Sequence, residues 1–77
     1  MLLEPIKILE RQKAICEKKI KYCLLHMDLN QKVIDKHPHD EDIKIRHKGM
    51  HDRLEGQCSA YIAIQTDTQI LIDLISE

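Results

Sequence analysis

Histidines are the residues of this chain whose type and spacing are best suited to chemistry. Four of the five lie near its middle, at His37, His39, His47 and His51. Neutral imidazole is a common metal ligand, and His47 and His51 are four residues apart, which allows them to share one face of a helix. This spacing alone is a poor metal signal, because the glutamate of an HExxH motif is missing. We therefore expect no resident metal or other cofactor, and keep the four histidines as candidate ligands.

Cysteines give no sign of catalysis or of a disulfide framework. Cys16, Cys23 and Cys58 are odd in number and follow no CxxC pattern, which argues against both disulfides and a zinc finger. This usage indicates a reducing compartment, and we expect a cytoplasmic protein. The sequence shows no recognisable Ser-His-Asp or Cys-His catalytic set, and it contains no glycine-rich phosphate-binding loop. We therefore expect neither an enzyme nor a small-molecule substrate.

A cluster of lysines is the candidate for contact with nucleic acid. It comprises Lys13, Lys18, Lys19 and Lys21. No aromatic residues are interspersed for stacking on bases. The formal net charge of −1 also lacks the basic excess typical of a nucleic-acid-binding domain. These lysines therefore support only an alternative function.

The composition indicates one small helical domain. A chain of 77 residues with no Trp, no Phe, two Gly and two Pro has too little turn chemistry for a many-stranded fold. No apolar run approaches the roughly 18–20 residues of a membrane-spanning helix, and the amino-terminal residues do not resemble a signal peptide. We expect a single soluble domain over residues 1–77.

Two long segments show the heptad pattern of a coiled coil, in which apolar residues recur at alternating steps of three and four. The first seam comprises Ile6, Leu9, Lys13, Cys16, Ile20, Cys23, Met27, Asn30 and Ile34. The second seam comprises Ile43, His47, Met50, Leu54, Gln57, Tyr61, Ile64, Thr68, Leu71 and Ile75.

The boundaries of the two segments follow from local signals. Pro38 biases the residue before it away from helical angles, and Asp40 is a favourable N-cap for a following helix. The sequence therefore predicts an all-α fold, with helices at about 5–36 and 41–75 joined by a turn at about 37–40.

The two seams also predict how the helices pair. An antiparallel hairpin about this turn places residue n opposite residue 77−n, so each seam residue from Ile6 to Ile34 meets one of the other helix. Asn30 then faces His47. Residues 1–38 contain eight Lys/Arg and five Asp/Glu, whereas residues 39–77 contain four and eight. Register and charge therefore both favour an antiparallel two-helix coiled-coil hairpin.

Further apolar and small residues lie outside both seams. Several of them recur at seven-residue spacing, which predicts a second interface. We expect two hairpins to form a four-helix bundle through it, although a different protein could cover the same residues. The predicted interface comprises Ile8, Ile15, Tyr22, Leu25, Leu29, Val33, Gly49, Gly56, Ala60 and Ala63.

These features favour a non-enzymatic protein–protein interaction or regulatory module. We expect a small helical adaptor or inhibitor, of the kind found among phage and mobile-element accessory proteins, that acts as a homodimer and binds another protein. The alternative is a small helical regulator that binds nucleic acid through the lysine cluster or responds to metal through the histidines. The sequence favours neither a membrane nor a small-molecule ligand as partner.

Overall fold

Two long antiparallel α-helices make up the computed structural model, which describes residues 3–77. Helix α1 spans Leu3–Lys36 and helix α2 spans Glu41–Ser76. They pack against each other along a hairpin that measures 59 × 14 × 12 Å. The predicted all-α hairpin and its turn are confirmed, and each helix extends one or two residues further at the open end than predicted.

Neither helix is a candidate for crossing a bilayer. Over residues 3–77, no stretch of 18 residues is apolar enough and poor enough in charged residues to qualify.

The turn is closed by backbone hydrogen bonds and by the cap of α2. The His37 N–H donates to the Ile34 carbonyl at 3.1 Å, and the Asp40 N–H donates to the His37 carbonyl at 3.2 Å. Asp40 has extended backbone angles, and its Oδ1 accepts from the Ile43 N–H at 3.1 Å. This bond satisfies one of the donors that a helix leaves free at its first turn. Asp40 therefore sets the point at which the chain reverses.

Replacing Asp40 with alanine should lower stability by about 1 kcal/mol, because the cap acceptor is lost. The thermal midpoint should fall by about 4–8 °C, measured by circular dichroism at fixed protein concentration. Asp40→Asn is the matched control, since an asparagine side chain still accepts from the helix N–H and should melt close to the wild-type protein. An asparagine variant as unstable as the alanine variant would contradict the capping role.

The predicted seam of α1 is confirmed along its whole length. Its nine residues, from Ile6 to Ile34, are all buried or half-buried, with Cys16, Cys23 and Asn30 the most enclosed. The heptad pattern of α1 therefore identifies the face that packs against α2.

The predicted seam of α2 was wrong for one of its two heptad lines, apart from Ile43 in the first turn, which is half-buried. Its other line, which contains His47, Leu54, Tyr61, Thr68 and Ile75, is buried or half-buried as expected. Four predicted seam residues are instead exposed: Met50, Gln57, Ile64 and Leu71. Four residues that each follow one of these directly are buried or half-buried in their place: His51, Cys58, Gln65 and Ile72. Helix α2 is thus rotated about its axis relative to the prediction.

Side-chain size and polarity account for this rotation. In the predicted phase Gln57 would face Ile20, and its amide would lose water without gaining a partner. In the structure Gln57 lies at the edge of the seam, where its Oε1 accepts a long contact of 3.9 Å from the Cys23 thiol. The small Cys58 occupies the seam next to it and is 7% exposed. The rotation therefore allows close helix packing and leaves three large apolar side chains of α2 outside.

Candidate protein interface

The seam encloses very few side chains. Among the described residues the buried ones are three cysteines, Cys16, Cys23 and Cys58, together with Asn30 and Thr68. Thirteen large hydrophobic side chains are between 40% and 68% exposed. No buried leucine or isoleucine occurs in this part of the chain, so the hairpin alone leaves most of its large apolar side chains in water.

One long side of the hairpin collects many of these exposed side chains. On α1, four residues recur at seven-residue spacing and are 44–57% exposed: Ile8, Ile15, Tyr22 and Leu29. On α2, Ile64 lines the same shallow groove as Ile8 and Ile15. Met50, Gln57 and Leu71 lie on the heptad line of Ile64, and therefore on the same side of α2. We call these eight residues, Ile8, Ile15, Tyr22, Leu29, Met50, Gln57, Ile64 and Leu71, the apolar face.

The other side of the seam is polar and charged near the turn, although Leu24 and Ile62 are exposed on it further along. Asn30 faces the seam, and at 100° per residue Leu29 and Gln31 lie on opposite flanks of it. Gln31 lines a second groove with Lys44, Lys48 and His51. The hairpin is therefore two-sided, with apolar residues concentrated on the side that carries Leu29.

The predicted interface is brought together only in part. The structure places Ile8 and Ile15 beside Ile64, a residue that the prediction had assigned to the seam. Tyr22 and Leu29 continue the line of Ile8 and Ile15 on α1.

Three of the four small residues of the predicted interface lie elsewhere. Gly56 lies two residues from both Leu54 and Cys58, so it points away from the seam. Gly49 and Ala63 share its heptad line, whereas Ala60 lies three residues after Gln57 and four before Ile64 and therefore borders the apolar face. A Cβ added at either glycine would have no neighbouring atom within 4 Å. This line therefore forms the outer edge of α2 and not the apolar face.

Two further residues of the predicted interface lie at the margins of the apolar face. Leu25 is 55% exposed and, being two residues from both Cys23 and Met27, points away from the seam of α1. Val33 is half-buried and follows Leu29 by one helical turn. Val33 therefore extends the apolar side toward the turn, and Leu25, three residues after Tyr22 and four before Leu29, borders the apolar face on its outer side.

Replacing Gly56 with alanine should raise stability by about 1 kcal/mol, because glycine is a poor helix former and the site has room for a methyl group. The thermal midpoint should rise, and the mass in solution should stay unchanged. Gly49→Ala is the parallel variant, with the same expectation. A smaller mass in solution would instead show that the outer edge of α2 is a packed contact.

The polar groups in the seam are satisfied within the chain. Asn30 Nδ2 donates to the His26 carbonyl at 2.7 Å, so its Oδ1 is the atom that accepts from His47 Nδ1 at 2.7 Å. Thr68 donates to the Ile64 carbonyl at 2.7 Å and accepts from Gln12 Nε2 at 3.2 Å. Over the described residues, no buried side-chain nitrogen or oxygen is left without a partner. The predicted pairing of Asn30 with His47 is therefore confirmed.

The candidate metal ligands have separate surroundings. His37 and His39 are exposed in the turn, where they line a shallow concavity with Pro38. His47 is engaged by Asn30. His51 lies at the polar edge of the seam, with its Nδ1 at 3.4 Å from the Asp52 carboxylate. The four histidines therefore have different neighbours, and only His47 is described with a hydrogen bond to the other helix.

A different group around His51 has the donor types of a cation site. The donor atoms of His51, Asp52 and Glu55 lie within 4.8 Å of one another on one turn of α2. The prediction did not include Asp52 or Glu55 among its candidate ligands, although the spacing HDxxE indicates that both can converge with His51. Asp52 also contacts Lys48 at 3.9 Å, and this cation competes for the same carboxylate.

The lysine cluster is divided by the structure. Lys13 is half-buried in the seam, and its Nζ donates to Gln69 Oε1. Lys18, Lys19 and Lys21 are exposed, and Lys21 contacts Glu17 at 3.7 Å. The cluster is thus an ordinary solvated helix surface of three lysines.

Ion pairs do not account for the pairing of a basic with an acidic helix. Each ion pair in the described part of the chain joins residues within a single helix, and all of their members except the half-buried His51 are exposed. Such pairs contribute only about 0.3–0.5 kcal/mol each. Arg11 and Asp67, which border the apolar face, take part in none of them. The charges beside this face are therefore available to a partner.

Comparisons with known proteins found no relative of this chain. No protein-family model, curated protein or solved structure shows significant similarity to this chain.

Proposed function

We propose that this chain is a non-enzymatic protein-interaction module that acts as a homodimer through its apolar face. The observation that carries the proposal is the contrast between a seam that encloses three cysteines, Asn30 and Thr68 and the row of large apolar side chains left outside it. Contiguous exposed apolar surface on this scale is typical of a protein-binding site.

The area of the face supports a stable complex. The accessible surface of the chain is 6041 Å², whereas a compact monomer of 9.1 kDa would expose about 4,900 Å². One long side of the hairpin, 59 Å by 14 Å, has a projected area of about 800 Å², which is of the order of the accessible surface that each partner buries in an interface of standard size. Covering this side would bring the exposed surface close to that of a compact protein.

A regulatory role follows from the surfaces that such a dimer leaves open. The sides of both helices that point away from the apolar face, including Leu24 and Ile70, stay exposed and can present a helix to the groove of another protein. We propose an adaptor or inhibitor in a reducing cytoplasm, since Cys16, Cys23 and Cys58 are free thiols. Accessory proteins of phages and mobile elements are the class this description fits.

Co-purification of two differently labelled copies tests the proposal. An affinity-tagged chain and an untagged chain are co-expressed, and the tagged chain is captured in high salt to remove nucleic-acid bridges. We expect the untagged chain to be retained, and to be lost when both copies carry Leu29→Glu. Loss of the wild-type untagged chain in the wash would contradict homodimer formation.

The group around His51 favours one alternative, a metal-responsive regulator. Binding of Zn(II), Ni(II) or Cu(I) at His51, Asp52 and Glu55 would raise the thermal midpoint, since a ligand that binds only the folded state stabilises it. His51→Ala should abolish this shift. Unchanged melting and unchanged mass in the presence of these ions would eliminate the alternative.

A further inference from the structure

A hairpin with one apolar side can pair with a second copy in two ways by twofold symmetry. In one arrangement both turns lie at the same end, and α1 of each copy packs on α2 of the other. In the other arrangement the turns lie at opposite ends, and α1 packs on α1 while α2 packs on α2. We propose the same-end arrangement, an inference that rests on the homodimer proposed above and specifies its geometry.

The charge distribution along the hairpin favours the same-end arrangement. In the open half, residues 4–21 of α1 carry six Lys/Arg and three Asp/Glu, whereas residues 54–77 of α2 carry four Asp/Glu and no Lys/Arg. In the turn half, residues 22–53 carry six of each sign. A second copy in the same-end arrangement sets its acidic α2 against the basic α1 along the open half. The opposite-end arrangement sets each charged half against a neutral one.

Matching residues follow from the register of the hairpin itself. The bond between Asn30 and His47 fixes which residues of α1 and α2 lie at the same height, and the same-end symmetry keeps every height unchanged. Each α1 residue of the apolar face then lies at nearly the same height as one apolar-face residue on the partner's α2, with an offset of two residues. The resulting layers pair Ile8 with Leu71, Ile15 with Ile64, Tyr22 with Gln57 and Leu29 with Met50. The polar residue Gln57 thus meets Tyr22, whose hydroxyl can bond its amide.

One ion pair is specific to this arrangement. Arg11 lies three residues after Ile8 and four before Ile15, so it borders the apolar face of α1. Asp67 lies three residues after Ile64 and four before Leu71, so it borders the apolar face on α2. It lies at the same height along the hairpin as Arg11. Neither residue has an ion-pair partner within its own chain, over the part that the structure describes. The same-end dimer brings Arg11 of one copy to Asp67 of the other, twice by symmetry.

The opposite-end arrangement carries two penalties. The layers of α1 then pair Ile8 with Leu29 and Ile15 with Tyr22, which places Lys18 and Lys19 of both copies together at the twofold axis, where like charges repel. On α2, Gln57 meets Ile64, which cannot bond its amide, so the polar group is desolvated without compensation. An ion pair between Arg53 and Asp67 is possible there, and it offers a way to tell the two arrangements apart.

Charge exchange tests the proposed contact. Arg11→Glu and Asp67→Arg should each weaken association by several-fold, and the double variant should recover most of the loss, as coupled neighbours do. Recovery by Arg53→Glu with Asp67→Arg in place of this pair would overturn the proposal in favour of the opposite-end arrangement.

The distance between two spin labels settles the arrangement directly. A cysteine introduced by His39→Cys in the exposed turn reacts in preference to Cys16, Cys23 and Cys58, which are buried. At the helix spacing of a bundle, the same-end dimer should give a distance of about 20–30 Å between the two labels. The opposite-end dimer would place them apart by about the 59 Å length of the hairpin.

A label near the middle of α1 provides the control. With Lys21→Cys, both arrangements should give a distance below about 40 Å, because the middle of each helix stays near the twofold axis. A short distance for both variants supports the proposal. A short distance for Lys21→Cys with a long one for His39→Cys overturns the same-end geometry and leaves the homodimer intact. No dipolar coupling in either variant overturns the homodimer as well.

Discussion

Replacing Tyr22 with glutamate should convert the dimer into a folded monomer. Tyr22 lies in the middle of the apolar face and is 57% exposed in the hairpin, so the substitution costs the single hairpin little. In the dimer, the carboxylate would be desolvated twice at the place of a large apolar contact, which is strongly unfavourable. We expect association to weaken by at least about 100-fold, measured by light scattering during size-exclusion chromatography.

Leu24→Glu is the matched control for this experiment. Leu24 is two residues from Tyr22 and 52% exposed, but Cys23 between them faces the seam, so Leu24 lies on the opposite flank. Its variant should remain dimeric and show the same helix content by circular dichroism. Dissociation by Leu24→Glu with no effect of Tyr22→Glu would place the interface on the other side of the hairpin.

Replacing His47 with alanine should lower the free energy of unfolding by about 1–3 kcal/mol. Asn30 is 7% exposed, and its Oδ1 would lose the partner that now lies at 2.7 Å. A buried acceptor left without a hydrogen bond costs about this much. Urea denaturation followed by circular dichroism measures the change. The exposed turn residue His39 provides the control, because His39→Ala should unfold like the wild-type protein.

Replacing both partners should have the opposite effect. With Asn30→Leu and His47→Leu together, no polar group of this pair remains to be satisfied, and the layer becomes apolar like its neighbours. We expect the double variant to be at least as stable as the wild-type protein, since polar layers reduce coiled-coil stability in exchange for register. A double variant less stable than His47→Ala alone would contradict this account of the pair.

The hairpin itself could be predicted because its local signals agree with one another. On α1 the apolar residues of the seam form a single heptad stripe that matches the turn positions of Pro38 and Asp40. One polar layer, Asn30 with His47, then fixes the register. The structure reproduces this layer, and it places the reversal at the residues predicted for it.

The phase of α2 could not be predicted because large apolar residues lie both in the seam and directly beside it. The line of His47, Leu54 and Tyr61 belongs to the seam in either phase. The remaining seam positions can be filled by the heptad line of Ile64 or by the adjacent heptad line of Gln65. The line of Ile64 is the more hydrophobic of the two, so the sequence favours it. In the structure that line lies beside Ile8 and Ile15. Periodicity identifies apolar residues that need covering, but it does not say which surface covers them.

The small residues of α2 show a related limit on what sequence spacing can predict. Gly49 and Gly56 recur at seven-residue spacing, which is typical of close helix packing, yet they lie on the open outer edge. Spacing determines that residues share a face of a helix, whereas the direction of that face depends on the phase of the seam. A shift of one heptad line therefore places the glycines on the outer edge of the hairpin, away from the apolar face.

The mass of the protein in solution tests the central claim most directly. Sedimentation equilibrium over a micromolar concentration range should give twice the chain mass of 9.1 kDa, with the mass falling on dilution. A well-folded, helical species of one chain mass at the highest of these concentrations would contradict the claim that a second copy covers the apolar face.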